Sequence, residues 1–225
     1  MPSNHEGGET VSSRLQLQDV FSKWRLWHIL LLAVVLRVSF AFALFWLHDF
    51  DVRAFWQGDT GSYVDTALNL WQHGSFSRGP DLPPYTHRVP GYPIFLIPGV
   101  MIGSPELYAV GVQTLLSVLL VWVMYHLGLR VVKDRATSLL ACFLYATSVL
   151  SIIYSNSVMS ETLFSVLLLI CLYSLIHYMD TKDLRFACGA FAILLVATYV
   201  RPIPYYFYPL LLLVLIIFQI RQNVS

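Results

Sequence analysis

Charge is scarce in this chain. Lys and Arg number 14 and Asp and Glu 13 in 225 residues, so charged side chains make up 12%, about half of the roughly 25% usual in soluble domains. That share argues against a soluble single domain. The net charge of +1 leaves no bulk attraction to nucleic acid, and the placement of charges carries more information than their sum. Cysteine is sparse too. Cys142, Cys171 and Cys188 each lie in an apolar segment, where a thiol behaves as a small hydrophobe, and their spacing matches no zinc or redox pattern. The expectation is no disulfide, no cysteine-ligated metal and no cofactor.

Apolar sequence is what the chain has in quantity. Hydrophobic residues reach 57% and aromatics 15%, and a mean hydropathy of +0.64 is spread over many separate runs. Crossing ~30 Å of hydrocarbon takes about 20 helical residues. On that rule six spans are expected, at about 24–47, 106–132, 137–153, 161–179, 184–199 and 203–220. The runs are continuous, without the alternation of lipid-facing strands, which disfavours a barrel. The first run is far longer than the roughly 7 to 15 apolar residues of a signal-peptide core, so it reads as an uncleaved span. Residues 1–22 are polar and read as a disordered cytoplasmic tail. Residues 23–221 form one transmembrane module with a long outer loop over 48–105.

Basic residues orient the spans. Arg14, Lys23 and Arg25 precede the first; Arg130, Lys133 and Arg135 lie between the second and third; Lys182 and Arg185 lie between the fourth and fifth; Arg221 follows the sixth. All four groups fall on one side, which the positive-inside rule makes cytoplasmic. The expectation is an integral multi-pass protein of the bacterial inner membrane with both termini inside.

The 48–105 loop holds most of the polar chemistry, with Asp49, Asp51, Asp59, Asp65 and Asp81 beside Arg53, Arg78 and Arg88. Val64, Ala67, Leu68 and Trp71 recur at helical spacing, which predicts an amphipathic surface helix over about 60–73. Asp65, Thr66, Asn69 and Gln72 form its polar face, and Gly74 ends it.

Gly58-Asp59-Thr60-Gly61-Ser62-Tyr63, then Arg88-Val89-Pro90-Gly91-Tyr92-Pro93-Ile94-Phe95, then Ser160-Glu161-Thr162-Leu163-Phe164 and Tyr199-Val200-Arg201-Pro202 give the chain a familiar outline. It resembles the membrane glycosyltransferases of the GT-C fold, in the group of protein O-mannosyltransferases and lipid A aminoarabinose transferase. The resemblance runs from Arg25 to about Leu215 and corresponds to the N-terminal part of the family plan. It implies transfer of a sugar from a polyprenyl-phosphate carrier to a lipid, protein or glycan hydroxyl at the outer face of the membrane. By the same resemblance Asp59 is the catalytic base, and Arg88, Arg201, Tyr63, Tyr92 and Glu161 are substrate-binding residues.

Each of these positions also has a plainer reading. Asp59 can be the N-cap of the 60–73 helix instead of a base, or both. Arg88 and Arg201 can grip the departing phosphate bidentately or anchor helix ends by snorkelling. Arg201 stands on the side where the charge rule disfavours a cation, which favours function. Glu161 can orient a donor sugar or act as an acidic first-turn residue of its own helix. Asp65 lies about one and two-thirds turns beyond Asp59 and reads as a solvated face. Arg37, mid-span, must face the interior and find a partner, and reads as a lock between helices. His73 and His87 lack ligand spacing, so no metal is assigned. Two rivals to the enzyme stand: a truncated, inactive relative that binds carrier lipid or scaffolds a partner, and a small transporter or flippase, which the lack of a visible repeat between the two halves disfavours.

Overall fold

The structure of the protein, a computed structural model, describes residues 24–224, apart from the side chains of 214–215 and 218–224. The tail expected over 1–22 lies outside the described residues. Described residues form helices and connecting turns, with no strand: α1 (Leu26–Leu47), a 3-10 turn (Val52–Phe55), α2 (Thr60–His73), α3 (Gly91–Met101), α4 (Pro105–Val131), α5 (Arg135–Thr147), α6 (Val149–Ser155), α7 (Glu161–Thr181), α8 (Leu184–Val200), a second 3-10 turn (Ile203–Tyr206) and α9 (Phe207–Val224). Three of these, α1, α4 and α7, are long and apolar enough to cross a membrane, and α5 with α6 makes a fourth if the bent pair is one span. The chain divides into two compact units.

The first unit comprises residues up to Trp56 together with Ala109–Val158. Its core joins Ile29 and Ala33 of α1, Val121 of α4, and Leu139, Cys142 and Ala146 of α5. Small residues bring the backbones close, the usual basis of helix association in lipid. At Gly128 an added Cβ would lie 2.8 Å from Ser138 Oγ.

The run expected as the third span is bent. α5 and α6 meet at 58°, because Ser148 is in extended conformation and ends α5 while its hydroxyl accepts from Ser151 N to start α6. The break leaves α5 carbonyls without helical partners. Arg37, fully buried on α1, answers this by donating from Nη1 to Ala146 O at 3.1 Å and from Nη2 to Ser151 Oγ at 3.0 Å. The lock expected of Arg37 is thus a guanidinium pinned across a helix break.

The second unit comprises Gln57–Tyr108 and the chain from Met159 onward. α7 and α8 form a tight hairpin around Cys171, Ala190 and Leu194, against which Tyr208 and Leu211 of α9 pack. The turn between α7 and α8 and the turn between α4 and α5 share one design. A lysine in left-handed conformation, Lys182 or Lys133, precedes an aspartate that caps the next helix: Asp183 accepts from Arg185 N at 2.9 Å and Asp134 from Thr137 N at 2.8 Å. The sixth apolar run starts as a 3-10 turn before α9 begins.

α2 occupies the residues its periodicity predicts, and Gly74 ends it in left-handed conformation with φ of 66°. Its buried face is broader than the apolar stripe. Thr66 and Asn69, expected on the polar face, are buried, whereas Trp71 of the stripe is 51% exposed. Following loop residues explain the difference: Asn69 Nδ2 donates to Ser75 O at 2.9 Å and to Ser77 Oγ at 2.7 Å, so residues 75–79 fold over this side. α3 is an element the sequence reading leaves inside the loop. Pro90 precedes it and Pro93 sits in its first turn, where a missing N–H costs nothing.

Candidate functional site

The resemblance-derived residues all fall within the second unit. Asp59 occupies the position before α2, in helical conformation, and its side chain makes no capping hydrogen bond. Instead its Oδ1 pairs with Arg88 Nη2. The plainer alternative, a carboxylate capping its own helix, is not what the structure has: this one is aimed at the segment leading into α3. Both partners stay accessible, with side chains 43% exposed for Asp59 and 30% for Arg88.

Glu161 and Arg201 repeat the arrangement. Glu161 is in the first turn of α7, and its Oε1 is 2.8 Å from Arg201 Nη1 at the end of α8. Glu161 Oε2 and Arg88 Nε are enclosed atoms with no hydrogen-bond partner. The two pairs thus keep one unused acceptor and one unused donor.

Aromatic side chains connect the pairs. Arg88 Cζ stands 5.3 Å from the centroid of the Tyr63 ring, a cation–π contact that favours the charged guanidinium. Tyr63 packs edge-on against Tyr92 at 4.8 Å, and its hydroxyl is 3.4 Å from Ser160 Oγ, next to Glu161. Arg201 Cζ lies 5.9 Å from the Phe164 ring centroid, one helical turn beyond Glu161. Tyr92 is fully buried and Tyr63 nearly so, which makes them supports of this cluster; any effect on a ligand passes through their neighbours. Burial pushes the Tyr92 phenol well above its ordinary range, and Tyr63 and Glu161 add to the shift, so it keeps its proton. For Arg88, burial alone would lower the guanidinium, but Tyr63, Asp59 and Tyr85 outweigh it and raise its pKa.

Asp65 is not part of this cluster. It accepts from Arg78 Nη2 at 2.7 Å, so the side chain read as a solvated face is half-buried in an ion pair that ties α2 to the following loop. Asp51 caps the first 3-10 turn through Arg53 N at 2.8 Å. Three participants escaped the sequence reading as contacts: Ser160, Phe164 and Tyr85. The first two lie inside a quoted motif, yet nothing in sequence spacing says what they touch.

The cluster offers a carboxylate, Asp59, within reach of solvent, and two guanidiniums with donors to spare. Such a set can accept a proton at one point and hold an anion at another. No family model, curated protein or solved structure matches this chain.

Proposed function

We propose that the protein is a membrane glycosyltransferase that moves a sugar from a polyprenyl-phosphate carrier to a hydroxyl acceptor on the outer, periplasmic face, with the GT-C architecture that its motifs resemble. The observation that carries this is the Asp59–Arg88 pair: a base candidate and a phosphate-binding candidate, drawn from separate motifs, meet at one place. Six spans accompany the proposal, with α8 and the 203–220 segment crossing as the last two and both termini in the cytoplasm. The basic turns at Lys133 and Lys182 then share the inner side with Arg25.

In the proposed reaction the acceptor O–H gives its proton to Asp59 as its oxygen bonds to the anomeric carbon. The bond from that carbon to the phosphate oxygen breaks, the configuration inverts, and polyprenyl phosphate departs. Charge grows on the departing phosphate, so fixed guanidinium donors bind the transition state more tightly than the ground state. Arg88 has five N–H donors and can keep one on Asp59 while others meet a phosphate oxygen. Arg201 supplies a second cation, held in place by Glu161 Oε1.

The experiment is a transfer assay with the purified protein in nanodiscs, given polyprenyl-phosphate sugars of several kinds and a mixed acceptor lipid extract. Glycosylated product supports the enzyme. Carrier binding without product from any donor supports a lipid-binding scaffold, and movement of carrier between leaflets without product supports a flippase.

A further inference from the structure

The segments that present Arg88 and Arg201 touch through bare backbone. Gly91 opens α3 three residues after Arg88, and Tyr199 and Val200 close α8 immediately before Arg201. A Cβ added at Gly91 would sit 2.6 Å from the Tyr199 carbonyl carbon and 2.8 Å from Val200 N, and would collide with the Tyr199 carbonyl oxygen. These obstructing atoms are main chain at a helix end, so no rotamer change relieves the clash. Gly91 does not have positive φ, so its need for glycine is one of space. Both arms are stiff as well. Pro90 precedes Gly91 and Pro202 follows Arg201, each with φ held by its ring.

From this contact we infer that Gly91 is a positioning residue: its missing side chain lets α3 seat on the end of α8 and sets the spacing of the two guanidinium-bearing segments. The ion pairs alone do not do this. Asp59 and Glu161 each hold one arginine from a different helix, and neither pair links the segment before α3 to the end of α8. The importance of the spacing rests on the proposed role of Arg88 and Arg201 as joint holders of one phosphate. The brace itself is a statement about the protein without ligand.

The test is arginine modification by phenylglyoxal of the full chain in nanodiscs, read site by site by mass spectrometry in the absence of phosphate. In Gly91→Ala both Arg88 and Arg201 should label about tenfold faster, the scale of a lost hydrogen bond to a charged group. Arg78, in its separate pair with Asp65, and the fully buried Arg37 should label at the wild-type rate, a selectivity that general loosening would not produce. Gly58→Ala, where an added Cβ meets nothing within 4 Å, should leave all four unchanged. Wild-type labelling at both arginines in Gly91→Ala, or a change at only one, overturns the inference. Should Gly91→Ala fail to accumulate or expose Arg37, the decision passes to Asp59→Asn/Glu161→Gln, which removes both ion pairs and keeps Gly91. The brace predicts wild-type hydrogen exchange at the amides of Ile94 and Arg201, which bond to Pro90 O and Ala197 O. Faster exchange at both by about tenfold would assign the spacing to the ion pairs and overturn the brace. Neither measurement contains sugar or carrier, so a failure of glycosyl transfer in the wild type is read separately.

Discussion

Arg37 Nη2 donates to Ser151 Oγ at 3.0 Å, so a charge on α1 holds the first turn of α6 just past a break. The same guanidinium donates to Ala33 O and Ala146 O and stands 5.6 Å from the Tyr145 ring centroid. Its Nε is buried without a partner. Desolvating the cation therefore offsets much of what its contacts contribute. Arg37→Met should accumulate with overall stability altered by no more than about 2 kcal/mol, because lost charged hydrogen bonds and recovered desolvation oppose each other. The local effect is larger: amides of 149–155 should exchange faster than in the wild type. Unchanged exchange there would show that the break holds itself.

The loop over α2 is held by one exposed ion pair and one buried amide, which should differ in weight. Asp65 and Arg78 are each more than a third exposed, so Asp65→Asn should cost no more than about 1 kcal/mol. Asn69 is buried and grips both Ser75 O and Ser77 Oγ, so Asn69→Leu should cost about 1 to 3 kcal/mol by leaving buried groups unsatisfied. Thermal unfolding ranks the two. Exchange at the Tyr85 amide, which donates to Phe76 O at 2.8 Å, should rise in both variants.

Sidedness is tested within one unit. Asp81, in the loop between α2 and α3, and Thr181, at the end of α7, are both exposed. Single cysteines at these positions in a Cys-free chain should react with an impermeant maleimide from opposite faces of sealed vesicles. Reaction of both from one face would contradict the orientation set by the basic turns. Ser77, though in the same loop, is a poor probe because it is fully buried.

Helices announced themselves in the sequence where length and periodicity do the coding. α2 and the 161–181 and 184–200 helices fall within two residues of their expected bounds, because apolar runs ended by Gly74, Lys182 and Arg201-Pro202 leave little freedom. The break at Ser148 was silent: a serine in an apolar run costs nothing visible, and the Arg37 contact to Ala146 O beside it comes from more than a hundred residues away. α3 was hidden by its prolines, which mark a loop when counted, although Pro90 and Pro93 lie at its start, where proline is tolerated, and Pro98 sits inside it. Motif residues of the site were legible as candidates, but their pairing was not. Asp59 was read as a base by resemblance, with a cap as the plainer alternative, and neither reading placed its carboxylate on Arg88, because long-range partners leave no trace in local spacing.

The proposed roles of Asp59 and Arg88 come apart in one comparison of carrier-lipid binding and transfer rate across three proteins: wild type, Asp59→Asn and Arg88→Ala. Asparagine keeps the size of the aspartate and removes its basicity, so Asp59→Asn should lower turnover by about 10² or more with binding of the carrier little changed. Arg88→Ala should weaken carrier binding and slow transfer together, because a contact present in the ground state is lost along with its transition-state share. Transfer by Asp59→Asn at the wild-type rate would contradict the assignment of Asp59 as the base and leave it as a structural partner of Arg88.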